Sequence, residues 1–199
     1  MHHDRKMILS DVATIRTGLV AARKQARETD GSAAWAYRLL SLRCVGASGV
    51  LDVGLAEPYL SKEVLKPDFL TRRDDILLRL SAPYTATLVD SGSEDYVVPS
   101  HFAIIRVDKS KADPGYVLWA LRQPSTLKRI YQNVSGLVAF GTIGSNFLGG
   151  LPIGDCPLGK QRTVGALLQL SEKEQALLSE LTKAKAELGR LALRKACAI

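Results

Sequence analysis

The most constraining feature of the 199-residue sequence is its last fifth. From Gln161 to Ala198 there is no proline, and the only glycines are Gly165 and Gly189. Leu167, Glu174, Leu181, Leu188 and Lys195 recur every seven residues, interleaved with Leu170, Leu177, Ala184 and Leu191. Seven of those nine positions are apolar, which is the a/d pattern of a helix with one buried seam. A helix of about 35 residues at ~1.5 Å per residue is about 50 Å long, more than the width of one small domain. Two partners suit such a seam: a second helix, or the chain's own domain. Its terminal position, its length and the register-fixing Glu174 and Lys195 favour the second helix. Leu170, Leu177, Leu181, Leu188 and Leu191 are the expected contacts of a dimer. This places a domain over residues 1–160 and a dimerisation or spacer helix over 161–199.

The preceding part reads as α+β. Ile8–Thr17 is a short apolar entry, and Tyr37–Val45 reads as a strand closed by a Gly-Ala-Ser-Gly turn. Asp-Asp-Ile-Leu-Leu-Arg-Leu (74–80), Thr-Ala-Thr-Leu-Val-Asp (85–90) and His-Phe-Ala-Ile-Ile-Arg-Val (101–107) read as three strands of one antiparallel or mixed sheet. Asp113-Pro114 is an N-cap followed by proline at the first helical position, and Ser125 caps a second helix starting at Thr126. Leu137–Gly159, rich in glycine, reads as loops around short strands.

Charge narrows the partners. The formal net charge is +7 and the pI about 9.4, which favours a polyanion such as nucleic acid. Arg16, Arg23, Lys24 and Arg27 follow one another with no acidic residue between them, next to Gly18, and are candidates for phosphate contacts. Arg72, Arg73, Arg79 and Tyr84 flank the 74–80 run, Lys128 and Arg129 lie on the second helix, and Ser145 and Asn146 close a glycine-rich loop. With His101, these are candidate DNA contacts, since arginine and asparagine match guanine and adenine edges.

Catalytic patterns are missing from the sequence. His101 is the one histidine outside the first three residues, and Ser100, His101 and Asp108 lack the spacing of a nucleophilic triad. Gly141-Thr142-Ile143-Gly144 lacks the Lys-Ser/Thr of a phosphate-binding loop. Cys44, Cys156 and Cys197 are isolated, so neither a zinc site nor a disulfide framework is expected, and no metal or cofactor. The first residues carry no apolar signal segment and no run is long enough to span a bilayer, so a soluble, cytoplasmic protein is expected.

The order of these segments resembles the specificity subunits of type I restriction–modification systems, or one half of such a subunit. The matching stretches are Leu-Ser-Asp-Val-Ala-Thr-Ile-Arg-Thr-Gly (9–18), the 74–80 run, 97–108, the helical pair 113–130 and 141–161 leading into the long helix. Typical members have Gly-Asp-Ile-Leu where this chain has Asp74-Asp75-Ile76-Leu77. Residues 151–161 keep Pro152, Pro157 and Gln161 but lose a double proline and a glutamate. The resemblance implies a target-recognition domain that reads one half of a bipartite duplex DNA site. It further implies a methyltransferase subunit as partner, with a restriction subunit beside it. S-adenosylmethionine would then belong to the methyltransferase. Since full-length members carry two such units, a homodimer through antiparallel C-terminal helices would restore the pair. The competing expectation is a non-catalytic protein–protein adaptor whose basic surface ignores DNA sequence.

Overall fold

The computed structural model describes residues 7–26, 35–46, 49–135 and 143–197. The elements in chain order are α1 (Leu9–Val12), β1 (Ala13–Thr17), β2 (Trp35–Leu39), β3 (Glu57–Ser61), β4 (Ile76–Arg79), β5 (Ala86–Leu88), β6 (Phe102–Val107), α2 (Pro114–Leu121), α3 (Pro124–Ser135), α4 (Ser145–Gly149) and α5 (Leu158–Ala196). The class is α+β, as the sequence predicts.

β4, β5 and β6 do share one sheet, of order β1-β6-β4-β5 and antiparallel throughout. Their runs are apolar at nearly every position because both faces are covered. On one face Ile76, Leu78, Ala103 and Ile105 meet Leu118, Leu121 and Ile130 of α2 and α3, with Leu9 and Leu148. On the other, Leu77, Phe102 and Ile104 meet Leu40, Cys44, Val45 and Val98. Full burial of each such side chain contributes about 1.5–3 kcal/mol. A third cluster, Leu19, Tyr59, Leu65 and Val97 with Phe69 at its margin, lies under the β2–β3 ribbon.

Three local expectations change. The strand read over 37–45 occupies 35–39, and residues 42–44 turn in a 3-10 helix. The backbone leaves the strand because Cys44 must reach the core, where it is fully buried. The second helix starts at Pro124, whose missing N–H costs nothing in a first turn. The described part of 137–159 holds the short helix α4 and the start of α5 in place of strands. Its one sheet-like contact is antiparallel pairing to the N-terminus, Leu9 N–H donating to Leu151 O (2.9 Å) and Ile153 N–H to Met7 O (3.0 Å).

α5 docks on the domain only along its first turns. Asp113 caps α2 by accepting from Tyr116 N–H (3.0 Å), and its own N–H donates to the buried Gln161 Oε1 (2.9 Å). Gln161 Nε2 donates in turn to Cys156 O (2.7 Å), so one side chain joins the starts of two helices. Next to it α2 and α5 touch backbone to backbone: a Cβ on Gly115 would stand 2.7 Å from Gly165 Cα, and one on Gly165 would collide with the Asp113 carboxylate, so glycine is a packing requirement at both positions. Arg122 makes the last tie, to Glu172, Ala86 O (3.0 Å) and Gly49 O (2.9 Å).

Asp74 sits at φ +69°, a left-handed conformation that glycine adopts freely. Asp74→Gly is expected to stabilise the fold by about 0.5 kcal/mol despite losing the exposed Lys109 pair, read as a raised urea midpoint.

Candidate nucleic-acid interface

The sheet register gathers several chain segments at one end. Thr17 pairs with Ala103 and Arg79 with Phe102, so the exit of β1, the exit of β4 and the entry of β6 coincide. Leu80 N–H donates to His101 O (2.9 Å), and Ile143 N–H to Leu80 O (3.5 Å), which brings the start of α4 alongside. Tyr84 in the β4–β5 loop packs edge-on against Tyr131, ring centroids 5.0 Å apart, which adds α3. His101, Lys128, Arg129, Ser145 and Asn146 are all exposed on these segments. Five candidates scattered over 46 positions of sequence thus share one end of the domain.

Other candidates are placed differently. Tyr84 is 5 % exposed, its ring in the helix-side core, so its role is to hold the β4–β5 loop on α3. Arg79 is half-buried, donating to Val45 O (3.1 Å) and Ala82 O (3.5 Å), with Nε buried and unpartnered among the described residues. Arg72 and Arg73 precede β4 and so lie at the opposite end of the sheet from His101. Arg73 is anchored by its N–H to Glu94 Oε1 (3.2 Å). Arg27 lies outside the described residues.

The uninterrupted basic run at the N-terminus acquires acidic neighbours in the fold. Arg16 pairs with Asp68 and lies over the Phe69 ring, 5.0 Å from its centroid. Lys24 pairs with Glu63 at 2.5 Å, and Arg23 is exposed. Arg16 holds the Asp68 carboxyl below its ordinary range, and Lys24 does the same for Glu63, assisted by Lys62 and Lys66. Gly18 is buried, and a Cβ there would collide with the carbonyl oxygens of Val98 and Pro99. Its missing side chain serves the chain's own backbone packing, and not the approach of a ligand backbone.

Sequence reasoning missed the buried pair of Asp75 and Arg106. Asp75 is 3 % exposed and takes Arg106 Nε at 3.0 and 3.2 Å; Arg106 Nη2 also donates to Leu70 O (2.7 Å). Burial raises the Asp75 pKa, against the lowering by Arg106 and the Arg72 N–H. An aspartate just ahead of the apolar Ile76-Leu77-Leu78 run was the available signal.

The helix presents two opposite faces. At 3.6 residues per turn, Gln161, Gly165, Leu168 and Glu172 fall on the side that meets α2, and the leucine seam lies roughly half a turn away. Leu170, Leu177, Leu181, Leu188 and Leu191 are 50–68 % exposed. Among the described residues no group of His, Cys, Asp or Glu is arranged to hold a metal ion, and no helix is long and apolar enough to cross a membrane.

No family model and no curated protein matches the chain. Solved structures do. A chain from a structure of the type I R-M system, concerned with its complex assembly and conformational transition, is similar at a TM-score of 0.55 and 19 % identity, over 93 % of this chain and 42 % of that one. The HsdS subunit from Thermoanaerobacter tengcongensis is similar at 0.56 and 19 %, over 93 % of this chain and 41 % of its own length. The chain spans about two fifths of the length of these solved neighbours, and across that span it has the α+β domain and long helix of the HsdS subunit fold.

Proposed function

We propose that this chain is a non-catalytic, sequence-specific duplex-DNA recognition subunit of a type I restriction–modification system. The observation that carries the reading is the fold match over 93 % of the chain to subunits of such systems, in a chain of net charge +7. The end of the sheet holding His101, Ser145, Asn146, Lys128 and Arg129 faces the DNA. His101, Ser145 and Asn146 supply base-edge contacts, while Lys128 and Arg129 supply charge. The outward seam of α5 pairs with a second copy, antiparallel, and the two domains read inverted half-sites across a fixed spacer. Methyl transfer and its S-adenosylmethionine belong to a methyltransferase partner, with a restriction subunit as a further partner, in the cytoplasm.

Selection of bound duplexes from a randomised pool tests this. A two-part inverted motif with a constant spacer is expected, and binding that ignores sequence would sink the reading. In the same assay Asn146→Ala or His101→Ala is expected to relax preference at one position of each half-site by about 1–3 kcal/mol. Uniformly weaker binding with an unaltered motif would remove those residues from the base-reading set.

A further inference from the structure

Beside the His101 end of the sheet lies a cleft of about 350 Å³, formed between residues 16–24 and residues 63–69. Its floor is apolar: Leu19 and Leu65 belong to the buried cluster under the β2–β3 ribbon, and Phe69 packs against it. Its rim is charged and unbalanced. Arg16, Arg23, Lys24 and Lys66 line it, and Lys62 lies near enough to Glu63 to act on its carboxyl. Among the described residues, Glu63 and Asp68 are the carboxylates paired with these cations, taking Lys24 and Arg16. Two of the cations, Lys62 and Lys66, come from a part of the sequence that no motif singled out. β1 delivers Gly18 to the cleft edge, where Gly18 N–H donates to Phe102 O (2.9 Å) and Ser100 N–H to Leu19 O (2.8 Å). The cleft is therefore joined by backbone to the His101 end.

A cationic rim over an apolar floor suits a group that is anionic on one side and hydrocarbon on the other. A deoxyribose phosphodiester has that form. Such a contact reads no base, because it meets only sugar and phosphate. In the free protein Glu63 occupies Lys24, so a phosphate must compete with that carboxylate.

We infer that this cleft seats one backbone phosphodiester of the bound duplex, its phosphate on Arg23, Lys24 and Lys66 and its deoxyribose on Leu19, Val20 and Leu65. The inference rests on the DNA-recognition reading and adds a sequence-neutral anchor to it. The anchor sets affinity and salt dependence, and Glu63 weakens it.

The test is fluorescence anisotropy of the full chain against a selected duplex over a salt series. Lys66→Ala combined with Arg23→Ala is expected to lower the slope of log K on log salt by about 0.9 and leave the selected motif unchanged. Glu63→Gln is expected to act in the opposite direction. It raises affinity about two- to threefold at low salt, as removing one like charge ~6 Å from a phosphate in water does. A slope unchanged in the double variant, or affinity unchanged or lowered in Glu63→Gln with the fold intact by circular dichroism, overturns the cleft. Titration with a mononucleotide forms a separate arm: saturation at micromolar levels would assign the cleft to a free nucleotide and overturn the duplex anchor. If the unmodified chain selects no duplex motif, the DNA reading itself fails, a result distinct from these.

Discussion

Leu181→Asp with Leu188→Asp is expected to yield a monomer whose domain stays folded, and to abolish tight binding to a two-part site. Leu181 and Leu188 are 50 % and 68 % exposed, and they lie on the side of α5 away from α2. Neither touches the domain core, so the substitutions cost the domain almost nothing. In a paired helix each leucine contributes roughly 1.5–3 kcal/mol of burial, counted twice across a two-fold axis, and each aspartate would enter an apolar seam uncompensated. Association free energy from such a seam is enough to hold a dimer at micromolar concentration against the entropy of association. Light scattering measures the mass, and anisotropy on single and paired half-sites measures the loss of the intramolecular second contact. A wild-type chain that is monomeric at every concentration would remove the seam as a dimer contact. A variant that loses thermal stability as a core substitution does would place the leucines against the chain's own domain.

The second large effect is expected at Arg106. Arg106→Ala strands the Asp75 carboxylate, which is 3 % exposed and has Arg106 as its cationic partner. Removing one partner of a buried ion pair costs about 3–5 kcal/mol. The sign of the pH dependence follows from the raised Asp75 pKa, caused by burial and partly offset by Arg106. A carboxyl whose folded pKa lies above its unfolded value binds protons more readily in the folded state. Stability is therefore favoured at acid pH and falls as pH rises from the ordinary carboxylate range through the raised value. Removing Arg106 takes away an opposing influence and raises that pKa further, which widens the window. The cost is thus expected to be largest near neutral pH and to shrink as pH falls toward the ordinary carboxylate range, measured by urea unfolding. Asp75→Asn in the same chain should restore much of it. A cost equal across that pH range would mean that Arg106 acts through Leu70 O and its own packing, not through the carboxylate.

The Asp75–Arg106 pair fixes the far end of the sheet, and Arg106 Nη1 reaches Asp68 (3.4 Å), the partner of Arg16. One ionic network thus connects the strand core to the wall of the basic cleft.

Much of the architecture is local information that the sequence alone determines. The heptad repeat makes α5 a long helix whatever surrounds it, since proline is absent and leucine is a strong helix former. Asp113-Pro114 starts α2 by a cap that involves three residues. The apolar runs at 76–80 and 102–107 become neighbouring strands because apolar segments of that length have few other ways to bury both faces. Tertiary structure decided what depends on residues far apart in the chain. The basic run 16–24 looks uncompensated until Glu63 and Asp68 arrive from 39 and 52 positions away and take up Lys24 and Arg16. Gly18 and Gly165 read as loop or helix glycines, yet each is required by atoms that only the fold brings against it, the Val98 and Pro99 carbonyls and the Asp113 carboxylate. Tyr84 looks like a surface aromatic until α3 covers it, while the segments carrying His101, Lys128 and Asn146 are brought to one end by strand register, the Ile143–Leu80 hydrogen bond and the Tyr84–Tyr131 contact. Helix period and caps are settled within a few residues by short-range sterics and hydrogen bonds. Burial and charge pairing are settled by whichever side chains the closed chain places within a few ångströms, and no local pattern records that.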